Sequence, residues 1–248
     1  MLPHEVGVHC SLATPAMRED EIRPLEDGSS GETPVRGHLH VPASSSGDAL
    51  ILTHGAGSNC QAPLLKALAT SFCESGMTVL RCDLPFRQLR PHGPPPRGSA
   101  EGDQQGLRRA VETMKQKVSG RVFLGGHSYG GRQASILASS EPGLVEALLL
   151  LSYPLHPPKR PTELRTAHFP SLRTAALFVH GTRDGFGSME EMVAALKLIP
   201  APAHLFTIEG AGHELMTARN RADLPKKITK GFIVQNVAHP SVVRTPNI

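Results

Sequence analysis

Apolar and polar positions along this chain fall into blocks that switch period. Residues 49–53 (Ala-Leu-Ile-Leu-Thr) form a short unbroken apolar run, the pattern of a strand buried on both faces. Between 62 and 75, Leu64, Leu65, Leu68, Ala69 and Phe72 recur at helical spacing, and Gly76 follows as a stop. This change of period repeats. It predicts strands at 78–83, 121–125, 147–151, 174–180 and 204–208, and helices at about 103–118, 132–140, 188–198 and 223–236. Ser188 and Glu191 make a capping box at the start of the helix near 188.

The first 40 residues show no helical period. Their pattern predicts a β-hairpin with strands at 6–11 and 35–40, joined by a polar segment rich in Gly and Pro and followed by a turn at 44–47. Regular strand–helix alternation after that predicts an α/β fold. The expected architecture is a mainly parallel eight-stranded sheet with helices on both faces and the two leading strands as an antiparallel edge. No long linker or internal repeat divides the chain, so a single domain is expected over 1–248, with 239–248 as a tail.

Composition narrows the function classes. In 248 residues, 39% are hydrophobic and 19% charged, enough apolar material for a sizeable core and too much for disorder. No apolar run approaches the length of a membrane-spanning helix. Met1 to Glu5 begin no basic-then-apolar leader, and Cys10, Cys60, Cys73 and Cys82 show no C-x-x-C spacing. Reduced thiols and a cytoplasmic location are the expectation. The net charge of +4 is small and dispersed; Lys226, Lys227 and Lys230 sit on an amphipathic segment, and with no Trp and two Tyr there is little to stack on bases. No nucleic-acid or membrane partner is expected. His38 and His40 share a strand face without a third ligand, H-E-x-x-H is absent, and Gly55-x-Gly57 lacks the third glycine of a dinucleotide loop, so no metal and no cofactor are expected.

In parallel sheets the reacting groups sit beyond the carboxyl ends of the strands. The strand at 121–125 runs into Gly126-His127-Ser128-Tyr129-Gly130-Gly131 and then directly into a helix. G-x-S-x-G at that junction is a sharp turn that lifts Ser128 above the sheet, with glycines where a Cβ would clash. The string is common by itself; its place between strand and helix gives it weight. A serine hydroxyl needs a base. His213, in Gly210-Ala-Gly-His-Glu214, follows the last strand. Asp184 follows the strand ending at His180 and is placed to hold the imidazole tautomer. After the strand at 49–53 comes His54-Gly55-Ala56-Gly57, where one backbone donor of an oxyanion hole belongs, so Ala56 and Tyr129 are the expected donors.

Strand-HGAG, strand-GGHSYGG-helix, strand-HGTRDGFG and strand-EGAGHEL together resemble the α/β-hydrolase superfamily over about 35–238. Within it, the short chain is similar to the dienelactone-hydrolase-like branch. It is similar more narrowly to small hydrolases related to a testis-expressed protein and to a chromatin-complex subunit, on Gly130-Gly131-Arg132 and Asp83-Leu-Pro-Phe86. The resemblance implies hydrolase chemistry. Ser128 departs from the cysteine nucleophile of dienelactone hydrolases, which argues against their particular reaction.

Residues 152–173 are too short and too Pro-broken for a helical cap, so the expected site is shallow and open to small or exposed esters. The loop at 85–97 carries Arg87, Arg90 and Arg97. Arg87 is the chosen candidate to pair with a substrate carboxylate, against solvated charges or a structural role. Arg132 is expected to be structural and to reach Asp83. The expected activity is hydrolysis of a small-molecule ester or related acyl bond through an acyl-enzyme on Ser128. The alternatives are a hydrolase-fold scaffold with an idle triad, and amide or peptide hydrolysis at the same site. The sequence leaves the oligomeric state open.

Overall fold

A computed structural model describes residues 22–29 and 33–236. Among these residues eight strands form one sheet: β1 Ile22–Asp27, β2 Val35–His40, β3 Ala49–Thr53, β4 Thr78–Cys82, β5 Val122–His127, β6 Ala147–Leu151, β7 Ala175–Gly181 and β8 Ala203–Ile208. Their order is β1-β2-β4-β3-β5-β6-β7-β8. β1 and β2 pair antiparallel, as do β2 and β4, and the remaining pairs are parallel. The strand expected at 6–11 lies outside the described residues, as does the expected tail. The described partner of β2 is Ile22–Asp27, a segment the pattern assigned to the polar connection.

Among the described residues six α-helices cover the sheet: α1 Pro63–Glu74, α2 Pro85–Leu89, α3 Ala100–Lys117, α4 Tyr129–Ser140, α5 Met189–Leu196 and α6 Leu224–Asn236. Central strands send alternate residues to opposite faces. Ile51, Leu124, Leu148, Leu150 and Phe178 pack with α3, α4 and α5, whereas Leu50, Leu52, Phe123, Leu149 and Val179 pack with α1 and α6. Two buried cores with the sheet between them are why these strands read as unbroken apolar runs. α2 falls where an irregular loop was expected; Pro85 in its first turn has the φ a helix start needs and gives up no useful N–H there.

The chain leaves β3 toward β4 on one side and returns to β5 on the other. The crevice at such a reversal opens at the carboxyl ends of β3 and β5, where His54 and Ser128 stand. Between β6 and β7 the described chain forms only one 3-10 turn, Phe169–Ser171, and so builds no cap.

Candidate active site

Ser128 joins β5 to α4 with φ 50° and ψ −115°, in a region that L side chains rarely adopt. Glycine makes the turn possible. A Cβ on Gly126 would come within 2.6 Å of the Gly130 carbonyl carbon and the Gly131 nitrogen, and one on Gly130 within 2.5 Å of the His54 carbonyl oxygen. The Ser128 N–H donates to the Leu151 carbonyl at 2.8 Å, which fixes the turn to β6.

Three side chains from three strand ends meet in line. Ser128 Oγ lies 2.8 Å from His213 Nε2. His213 Nδ1 lies 3.0 and 2.9 Å from the two carboxylate oxygens of Asp184. An imidazole N–H donated to a carboxylate leaves Nε2 as a lone pair facing the hydroxyl. Burial alone would raise the Asp184 carboxyl. The bond and charge of His213 and the Phe186 N–H oppose it and hold the carboxyl below its ordinary value. The Phe186 ring lies over His213, with centroids 4.1 Å apart and planes tilted by 31°.

Behind Asp184 stands His180, fully buried. Its Nε2 bonds the Gly187 carbonyl at 2.8 Å, and its Nδ1 lies 3.8 Å from Asp184 without a hydrogen-bond partner. Sequence reasoning passed over this residue. Its spacing of four from Asp184 is visible in the chain, but its approach to the carboxylate is a product of the turn.

The loop after β3 is held through its peptides. The Leu84 N–H donates to His54 Nε2 at 3.2 Å, so Nδ1 carries the proton and donates to the Gly55 carbonyl at 2.8 Å. That peptide ends in the Ala56 N–H. Burial keeps His54 neutral by pushing its pKa down. Tyr129 opens α4, so its N–H is one of the donors every helix leaves unpaired. Among the described residues no protein acceptor takes the N–H of Ala56 or of Tyr129. The Tyr129 hydroxyl donates to buried Asp103 at 2.7 Å, and the other carboxylate oxygen accepts the Phe86 N–H at 3.0 Å, which anchors the start of α4 to α2.

Arg87 has a different task from the one expected. It is 5% exposed, and its guanidinium donates to the carbonyls of Ser58, Arg90, Ala56 and Gly93 at 2.7 to 3.0 Å. Backbone oxygens occupy the fork that a substrate carboxylate would need, and the bond to Ala56 pins the loop a second time. Arg132 is not among the partners of Asp83. Asp83 accepts the Cys60 N–H at 2.7 Å, while the charge of Arg132 acts on Tyr153, Arg165 and His168.

The cavity at this site has a volume of about 670 Å³. Its floor is His127 and Ser128, one wall is the 54–58 loop, another is apolar at Ala62, Pro63, Leu64 and Leu65, and Glu214, Met216 and Arg221 also line it. No group of three or more metal-ligating side chains occurs among the described residues. His40 spends Nε2 on Arg81, and His38 faces Gln61. No helix among the described residues is long and apolar enough to cross a membrane.

The sequence profile of a family described as "Alpha/beta hydrolase domain" matches residues 46–237. A dienelactone hydrolase from Anabaena variabilis is 20% identical with a TM-score of 0.66, over 85% of this chain and 98% of that one. Est1E from Butyrivibrio proteoclasticus is 18% identical with a TM-score of 0.69, over 87% and 99%. An α/β serine hydrolase without a lid from Xanthomonas campestris is 17% identical with a TM-score of 0.66, over 91% and 100%.

Proposed function

The chain belongs to the alpha/beta hydrolase domain family, and from that premise we propose that it is a serine hydrolase cleaving a carboxylic ester, or a related acyl bond, of a small molecule. One observation carries this reading: Ser128, His213 and Asp184 stand in hydrogen-bonded line beneath an open cavity, beside two backbone N–H groups with no protein acceptor.

In this mechanism Ser128 Oγ attacks the acyl carbon as its proton passes to His213 Nε2. Asp184 keeps the tautomer and stabilises the imidazolium. The carbonyl oxygen gains charge in the tetrahedral intermediate and is received by the N–H groups of Ala56 and Tyr129. Their peptides are already fixed by His54, Arg87 and the start of α4, so little reorganisation is left for the reaction. His213 then protonates the leaving alcohol. Water follows the same route and releases the acid. The open cavity and the apolar wall at 62–65 suit a short or exposed acyl group. The likeness to Est1E and to a lidless serine hydrolase agrees with this chemistry without adding to it.

The test is hydrolysis of p-nitrophenyl acetate together with labelling by a fluorophosphonate. The expected result is turnover and a mass adduct on Ser128, both lost in Ser128→Ala while its circular dichroism stays native. A correctly folded wild-type protein that neither turns over esters nor takes the phosphonate sinks the proposal and leaves an idle scaffold.

A further inference from the structure

The imidazole of His213 can face Ser128 and Asp184 together only if its backbone is held. Residues 209–215 form a connection after β8 with no regular structure beyond turns. Two bonds tie its first half to the turn of Asp184: Gly210 N–H to Thr182 Oγ1 at 2.8 Å, and Arg183 N–H to the Ala211 carbonyl at 2.9 Å. His213 itself is held by another pair. Its carbonyl oxygen accepts from Ser152 Oγ at 2.6 Å and from His127 Nε2 at 2.9 Å.

Both donors come from neighbouring strands. His127 ends β5 and precedes the nucleophile; Ser152 directly follows β6, and the residue before it, Leu151, pairs with His127. Ser152 is fully buried and has φ 47°, where glycine would be the easier residue. A serine kept there against strain, its hydroxyl aimed at one backbone oxygen, has a use for that hydroxyl. His127 is confined from another side as well: a Cβ on Gly55 would come within 3.1 Å of its Nδ1, so the ring wedges between the 54–58 loop and the His213 loop.

We propose that Ser152 and His127 are positioning residues that clamp the His213 carbonyl and thereby hold the imidazole in line between Asp184 and Ser128. This rests on the triad reading above and adds two residues to it. Neither donor hydrogen-bonds the reacting atoms, although the His127 ring also lies beside that of His213, with centroids 5.2 Å apart. Loss of a donor lets the loop shift, and displacements well below 1 Å at a proton-transfer contact are felt in kcat before they are felt in binding.

The experiment separates positioning from folding. Ser152→Gly removes the hydroxyl and suits the local φ, so its Tm should stay within about 3 °C of wild type. Its kcat on p-nitrophenyl acetate should fall about tenfold with KM within about twofold. Amide hydrogen exchange across 211–216 should quicken. His127→Gln keeps an N–H near the position of Nε2 and should retain most activity, whereas His127→Phe should lose about tenfold. Wild-type kcat or unchanged exchange in Ser152→Gly overturns the clamp, as do equal rates for His127→Gln and His127→Phe. If the wild type shows neither turnover nor phosphonate labelling, the hydrolase reading fails separately. Exchange at 211–216 in Ser152→Gly then decides the clamp alone, faster exchange upholding it and equal exchange refuting it.

Discussion

Two serine–histidine pairs in this molecule have the same contact distance and opposite surroundings. Ser128 Oγ lies 2.8 Å from His213 Nε2, and Ser135 Oγ lies 2.8 Å from His168 Nε2. In the first pair Asp184 takes the far imidazole proton, which leaves Nε2 free to accept one. In the second, the Ser135 hydroxyl already donates to the Arg132 carbonyl at 2.9 Å, so His168 must donate to Ser135 and cannot be its base. Burial, and then the charge of Arg132, push His168 down to about 4. Ser135 is fully buried, and neither residue lines the cavity above Ser128. A close hydroxyl–imidazole contact therefore marks a nucleophile only when the proton runs toward the ring and an acid stands behind it.

The strongest way to break this contrast is to remove the acid. Asp184→Asn should lower kcat about 10⁴-fold, because an amide opposite Nδ1 favours the wrong tautomer and no longer stabilises the imidazolium. Circular dichroism should remain native. A loss of less than tenfold would put the second pair on a level with the first and remove Asp184 from the chemistry. Ser135→Ala supplies the other arm. Turnover should stay within about twofold, while the half-buried His168 N–H loses its acceptor at a cost of about 1 kcal/mol, seen as a lower Tm. A large loss of turnover in Ser135→Ala at native Tm would make the second pair functional.

The two pairs also differ in how they are written in the sequence. Ser128 and Asp184 follow buried strands and His213 follows the half-exposed edge strand β8, each inside a short glycine-bearing string, so the strand pattern and the residues just after it suffice to single them out as candidates. His127, Ser152 and His180 act on partners that the fold brings close, and no local period records that. Arg87 read as a free loop cation because its four acceptors are backbone carbonyls, which no side-chain pattern reveals. The same limit hid β1. Ile22–Asp27 contains Pro24 and exposes residues on both faces, as an edge strand does, so it shows no apolar alternation; Val6 and Val8 show one and drew the assignment there. The central sheet was legible because burial on both faces leaves little choice of residue.

Acid titration sharpens the contrast further. His168 has a folded-state value of about 4 against an ordinary 6.5. The unfolded chain takes up its proton first, so the stabilising difference is complete above pH 6.5 and is lost as pH falls toward about 4. His40, also at about 4 through burial and then the Arg81 charge, acts in the same direction. His168→Gln should therefore flatten part of the fall in Tm between pH 6.5 and 4 without changing the pH profile of ester hydrolysis. An altered activity profile would tie His168 to the chemistry.

The smallest effect belongs to a third hydroxyl pair at the sheet edge. Thr113 on α3 donates to Asp27 on β1 at 2.7 Å. That bond first, with help from Ser29, holds the Asp27 carboxyl at about 2 against an ordinary 3.8. A carboxyl depressed by folding stabilises above its unfolded value, and the contribution fades as pH falls from 3.8 toward 2. Water reaches this pair and replaces much of what is lost, so Thr113→Val should lower Tm at neutral pH by only about 1–3 °C. The deficit should shrink below pH 3 and turnover should not change. A deficit independent of pH would show that Thr113 contributes by packing alone, and that its hydroxyl, like that of Ser135, says nothing about reactivity.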